Sequence, residues 1–193
     1  MTITNGYCTL SELQYRLGRS QNANDVYLDS LENAIESASR HIDKVTGQIF
    51  YSKSISSEYI DIYMSNSNNG FYINDIGNKI YCPAPIISAS GIYSDDALLV
   101  ENTDYFLNKS DGVIRADSCF STNNRGILVT SITVGHSSTP DDIKQTCLTL
   151  AEIYSGLGKT TIQDYEGNLQ EIRKNTVPKS VYDILNKYRW INL

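Results

Sequence analysis

The stretch 132–157, ITVGHSSTPDDIKQTCLTLAEIYSGL, constrains the chain most, because it sets a strand, a reversal and an amphipathic helix in immediate succession. Ile132 and Val134 close an alternating run, and Gly135 permits a sharp turn. Ser137, Ser138 and Thr139 each qualify as an N-cap, and Pro140 belongs at the first helical position, where its missing N–H is no loss. Asp141 and Asp142 then set negative charge against the positive end of the helix dipole. Ile143, Cys147, Leu150, Ala151 and Tyr154 recur at steps of three and four, which draws one apolar face. Such a face must be covered by elements from elsewhere in the chain.

Two further helices are legible ahead of it. Thr9 stands three residues before Glu12, the spacing of a capping box, with Leu10, Leu13 and Leu17 as the inner stripe and Gly18 as the stop. From Asp25, the residues Leu28, Leu31, Ile35, Ala38, Ile42 and Val45 form a seam that ends at Gly47. A last helix starts near Pro178, with Val181, Ile184, Leu185 and Tyr188 inward. The expected helices are 9–18, 25–46, 140–156 and 178–188.

Between 52 and 135 the period changes to two. Ile60, Ile62 and Met64 alternate with Tyr59, Asp61 and Tyr63, and short apolar runs follow at 71–73, 80–81, 86–87, 91–93, 98–100, 105–107, 113–114 and 127–134. Pro83-Ala84-Pro85 forces extended backbone and belongs at an edge or connection. Asp111-Gly112 is a hairpin turn. These strands predict a small antiparallel sandwich or barrel-like unit. The fold class read from the sequence is α+β: a helical bundle body from residues 1–52 and 136–193, with residues 53–135 as an inserted antiparallel β subdomain. Residues 155–176 are polar and glycine-rich, and 161–163 and 169–172 flank a turn that permits a projecting hairpin.

Gly158-Lys159-Thr160 ends like a P-loop and offers a nucleotide-binding alternative, yet the glycine that such a loop requires five residues earlier is Ile153, inside a helix. Gly156 and Gly158 read instead as helix-stopping glycines. His41 and His136 lack metal-ligand neighbours. The pairs Asp95-Asp96 and Asp141-Asp142 are adjacent residues that do not face one site, so they read as a turn and as dipole compensation. The four cysteines, Cys8, Cys82, Cys119 and Cys147, are scattered without a C-x-x-C pair and read as reduced core thiols. No catalytic residue, cofactor or metal is expected. A net charge of −6 opposes tight binding to nucleic-acid backbone. No apolar run approaches the roughly 20 residues of a membrane span, and residues 1–6 are too short and polar for a signal peptide, so folding in a cytoplasm is expected.

Several segments resemble the head-tail connector (adaptor) proteins of tailed bacteriophages. They are Tyr7-Cys8-Thr9-Leu10-Ser11-Glu12-Leu13, the end of the second helix from Ala38 to Phe50, Pro83-Ala84-Pro85-Ile86-Ile87-Ser88 with the strands after it, and Thr139-Pro140-Asp141-Asp142-Ile143-Lys144-Gln145 with Cys147-Leu148-Thr149-Leu150-Ala151. The resemblance runs through nearly the whole chain and consists of packing and capping patterns. It implies a non-enzymatic structural subunit of the virion neck, assembled in the host cytoplasm. It also implies a closed ring of about twelve copies with heterologous interfaces. Such a ring docks on the portal protein, extends the channel for genomic DNA without sequence-specific binding, and offers a platform to the tail or another neck protein. A tail terminator or other neck-ring protein is the alternative. Portal docking is expected of the C-terminal residues Tyr188, Arg189, Trp190, Ile191 and Leu193, because Trp, Tyr and Arg dominate interface energetics. The 155–176 segment is expected to face the channel or a neighbouring subunit. There Asp164, Glu166 and Glu171 would repel DNA phosphates, and Lys159, Arg173 and Lys174 would offset them.

Overall fold

The computed structural model describes residues 3, 5–18, 25–60, 70–74, 77–94, 96–118, 120, 127–156, 159–163, 169–173 and 177–189, with only the backbone at 25–26, 159–163 and 169–173. Among these residues four helices and three sets of strands follow one another. They run α1 (Leu10–Arg16), α2 (Asp25–Thr46), β1 (Lys53–Ile55), β2 (Glu58–Ile60), β3 (Tyr72–Ile73), β4 (Lys79–Tyr81) and β5 (Ile86–Ser94). Then come β6 (Ala97–Leu98), β7 (Tyr105–Asn108), β8 (Val113–Ala116), β9 (Ile127–Val134), α3 (Asp141–Tyr154), β10 (Lys159–Gln163), β11 (Leu169–Arg173) and α4 (Lys179–Lys187). The fold is α+β. Its chain divides into a discontinuous helical unit, Met1–Gly47 with Thr139–Leu193, and a contiguous β unit, Gln48–Ser138.

In the helical unit α2 and α3 make the principal pair, while α1 packs on both and α4 packs on both. The seam of α2 is buried at Leu31, Ile35, Ala38 and Ile42, and α3 answers with Ile143, Cys147, Leu150 and Ala151. Burying a Leu or Ile side chain stabilises by about 1.5–3 kcal/mol. Where the seam carries hydroxyls they bond backward along their own helix, Ser39 Oγ to the Ile35 carbonyl and Thr46 Oγ1 to the Ile42 carbonyl, both at 2.8 Å. Each of these two hydroxyls thereby finds an acceptor within its own helix. The capping box of α1 is complete: the Glu12 N–H donates to Thr9 Oγ1, and the Thr9 N–H donates to Glu12 Oε2. Val181 and Leu185 are the buried residues of α4.

Two details of α3 differ from expectation. Pro140 is the N-cap itself, in extended conformation (φ −56°, ψ 143°), and no side chain caps the helix. Ser137, Ser138 and Thr139 therefore lie before the cap, and the helix begins at Asp141, whose charge and that of Asp142 fall in its first turn. Tyr154 is 40% exposed and lies outside the apolar face, which includes Thr146, Leu148 and Ile153 instead. Gly156 closes the helix in left-handed conformation, its N–H donating to the Ile153 carbonyl.

The β unit is two antiparallel sheets. One has β9 at its centre, with β1 and β2 pairing in succession along one side and β5 followed by β6 on the other. The second runs β3-β4-β8-β7. Ile55, Ile60, Ile92, Ile127, Val129 and Ile132 of the first sheet and Ile73, Ile80, Tyr105 and Ile114 of the second share one apolar cluster, the arrangement of a sandwich core. The runs 86–87 and 91–93, read separately in the sequence, are one strand. Ser88 and Ser90 are exposed whereas Ile92 and Ser94 are buried, so the alternation changes phase at Gly91. Its φ of +63° allows the change, and the facing Thr130 donates its hydroxyl to the Gly91 carbonyl at 3.0 Å. Pro83-Ala84-Pro85 connects β4 to β5, and Asp111-Gly112 lies in the turn between β7 and β8.

Candidate assembly surfaces

The α1–α3 face carries two ion pairs. Arg16 Nε meets Glu152 Oε2 at 3.0 Å, and the same guanidinium donates to Thr149 Oγ1 at 3.0 Å and Gln145 Oε1 at 3.5 Å. Lys144 pairs with Glu12. Burial pushes the Glu12 carboxyl up, yet the Lys144 ammonium and the Thr9 N–H outweigh it and hold the group below its ordinary range. Beside these ion pairs lies an open groove of about 650 Å³, with Tyr15 standing 89% exposed at its rim. Tyr15 falls off the Leu10-Leu13-Leu17 stripe, so its position follows from α1 periodicity, although the sequence gives no reason for an aromatic there.

A second surface joins α2, α3 and α4. The Tyr154 hydroxyl lies 2.9 Å from His41 Nδ1, the two rings meet edge to face at 6.0 Å, and the Tyr182 ring lies 6.5 Å from His41. Tyr182 is 40% exposed, as is Tyr154. In the β unit Leu98, Val100 and Phe106 are exposed on and between β6 and β7, the edge strands of their respective sheets, and Tyr59 is exposed on β2. His136 stacks on Phe50 with ring centroids 5.1 Å apart, and burial lowers its pKa.

Of the residues expected to dock the portal, Tyr188 and Arg189 are described. Tyr188 lies at the end of α4 and donates its hydroxyl to both carboxylate oxygens of Asp142, at 2.8 and 2.9 Å. Burial and that carboxylate push its phenol up to about 12. This contact ties the end of α4 to the first turn of α3, and Asp142 thus serves a neighbouring helix as well as the dipole of its own. Arg189 is exposed; Trp190, Ile191 and Leu193 lie outside the described residues. In the 155–176 segment, β10 and β11 form the hairpin that the sequence permits, with Lys159 opposite Arg173 and Thr161 opposite Glu171. Asp164, Glu166 and Lys174 lie outside the described residues. Lys159 and Thr160 open a strand, and a P-loop requires a helix there, so the nucleotide-binding alternative lacks its cradle of backbone N–H groups. Among the described residues no group of three or more His, Cys, Asp or Glu side chains is placed to hold a metal, and no helix is long and apolar enough to cross a membrane.

No protein-family model matches the chain, and no curated protein matches it. Solved structures do. A chain from the neck of an empty gene transfer agent particle, computed with C6 symmetry, matches with a TM-score of 0.62 at 16% identity, covering 100% of this chain and 94% of that one. A chain from the neck of the native particle, computed with C12 symmetry, matches with a TM-score of 0.57 at 16% identity over the same shares. A chain from the virion of the native gene transfer agent particle matches with a TM-score of 0.57 at 15% identity, again over 100% and 94%. The helical body and its inserted β unit are therefore together the fold of proteins found in the neck of a phage-like particle.

Proposed function

We propose that this chain is a structural subunit of the neck of a tailed phage or phage-like particle, a head-tail connector. The observation that carries the reading is the end-to-end match with chains taken from neck assemblies computed with C6 and C12 symmetry. A match to one unit alone would have supported only a common module. Copies close into a ring of about twelve through heterologous contacts. Exposed Leu98, Val100 and Phe106 on the β unit, and Tyr15, Tyr154 and Tyr182 on the helical unit, suit a subunit whose faces are covered on assembly.

The C-terminal residues Tyr188, Arg189, Trp190, Ile191 and Leu193 dock on the portal, and the β10–β11 hairpin faces the channel or a neighbour. DNA passes without sequence-specific binding, and the outer face of the ring receives the tail or a further neck protein. The work is geometric and electrostatic, with no bond made or broken. Co-expression with the cognate portal, followed by cryo-electron microscopy, tests the reading. A closed ring seated on the portal is expected, and a chain that stays monomeric and never joins portal-containing particles would overturn it. Removing residues 189–193 should leave a folded subunit that no longer joins the portal; undiminished joining would refute docking by the tail while leaving the ring intact.

A further inference from the structure

The core of the helical unit holds two cysteines in contact. Cys8 lies just ahead of the Thr9 cap of α1, and Cys147 lies in the middle of α3. Their sulfurs are 3.3 Å apart although the residues are 139 positions apart in sequence. Both are buried, with exposures of 5% and 0%. A disulfide needs about 2.05 Å between the sulfurs, so closure requires a shift of little more than an ångström. Cys8 belongs to an irregular segment before a helix, and such a segment can move that far more readily than the middle of α3. We propose that Cys8 and Cys147 are an oxidisable pair that converts to an intramolecular disulfide, clamping the N-terminal segment to α3.

The environment assigns the two sulfurs different roles. The contact with Cys8 and the backbone N–H groups of Tyr7 and Cys8 favour the Cys147 thiolate and outweigh the burial that opposes it; its sulfur also lies 3.5 Å from Ser39 Oγ and 4.0 Å from the Ile35 carbonyl. The Cys8 thiol is pushed well above the ordinary range by its hydrogen bond to Cys147 and by burial. Cys147 is therefore the attacking sulfur and Cys8 the resolving one. With hydrogen peroxide as oxidant, the Cys147 thiolate attacks one peroxide oxygen, the O–O bond breaks, hydroxide leaves, and Cys147 becomes a sulfenic acid. The Cys8 sulfur then attacks the Cys147 sulfur, the S–O bond breaks, and the oxygen departs as water with the Cys8 proton. Two thiols and one peroxide give one disulfide and two waters. Both the peroxide and the water it leaves are small and neutral, which suits a buried pair.

Cys82 provides an internal contrast. It is buried in the β unit and burial alone pushes its thiol up to about 12, so it should stay reduced. The test is titration of the full-length protein with hydrogen peroxide under native conditions, followed by alkylation, intact mass and peptide mapping. The expected product is a monomer about 2 Da lighter, with Cys8 and Cys147 in one linked peptide pair and Cys82 alkylated. Its melting transition should rise by about 5–10 °C and return on reduction. In Cys8→Ser the resolving thiol is gone, so Cys147 should gain oxygen, about 16 or 32 Da, and form no link. Wild-type protein that keeps both thiols, or that links either cysteine to Cys82, to Cys119 or to a second chain, would overturn the proposal. Because the wild-type mapping decides the matter alone, poor folding of the variant leaves the test intact.

Discussion

At Gly135 the backbone φ is +104°, and a Cβ built there would lie 2.0 Å from the Tyr51 carbonyl oxygen. At Gly156 φ is +66°, and a Cβ would meet nothing within 4 Å. The two glycines look alike in the sequence, since each follows a regular element and reads as a stop, but their costs of substitution separate. Gly135→Ala must displace backbone and should cost roughly 3 kcal/mol or more. Gly156→Ala bears only the left-handed penalty, about 1 kcal/mol. Hydrogen exchange measured at β1 and β9 for the first variant and at the end of α3 for the second checks the contrast; equal losses would contradict it. The reversal at Gly135 was legible in the run Val134-Gly135. Tyr51 as its neighbour was not, because the contact joins residues far apart in sequence. The Cys8–Cys147 contact was hidden for the same reason, and scattered cysteines without a C-x-x-C spacing were read only as core thiols. Three-and-four spacing carries Tyr154 onto the apolar face, whereas its ring stands 40% exposed with its edge against His41.

Among the elements, α2 and α3 supply most of the helical core, and both were visible as periodic apolar seams bounded by glycines. Leu31 and Leu150 sit at full burial on the two seams. Leu31→Asp or Leu150→Asp would bury an unpaired charge and should cost roughly 4 kcal/mol or more, enough to unfold the helical unit, while Leu31→Ala should cost about 2–5 kcal/mol. Chemical denaturation followed by far-ultraviolet circular dichroism measures both; cooperative melting near the wild-type temperature in both charged variants would disprove the packing. The strands were less legible than the helices. Most are two to four residues long, as in Tyr72–Ile73 and Ala97–Leu98, and so short a run carries little periodicity. The longest, β5, was read as two pieces because its phase change at Gly91 mimics an interruption. Composition alone starts α3 one residue early. Proline suits both the cap and the first helical position, and only the observed ψ of 143° decides between them.

For the molecule as a whole, charge and connectivity decide more than any one contact. A chain of net charge −6 has little to offer a phosphate backbone. Binding to a labelled DNA duplex, followed by fluorescence anisotropy at physiological salt, should be weaker than about 100 μM. Saturable binding well below that concentration would mean that a local basic patch outweighs the net charge. The exposed aromatic and aliphatic surfaces are the least readable part of the chain. Binary patterning marks which residues face a core, and it gives no reason for Phe106 or Tyr182 to stand 40% exposed. The split of the helical unit across Met1–Gly47 and Thr139–Leu193 has a consequence for synthesis. When α1 and α2 leave the ribosome, the face of α2 at Leu31, Ile35 and Ile42 has no α3 to cover it, and none arrives until the whole of Gln48–Ser138 has been translated. The β unit is contiguous and has its own apolar cluster, so it can collapse first and draw the two ends of the helical unit together, shortening the loop that α3 must close. Until then the nascent chain exposes an apolar helix, and translation speed through residues 48–138 sets how long that surface is open to aggregation or to a chaperone.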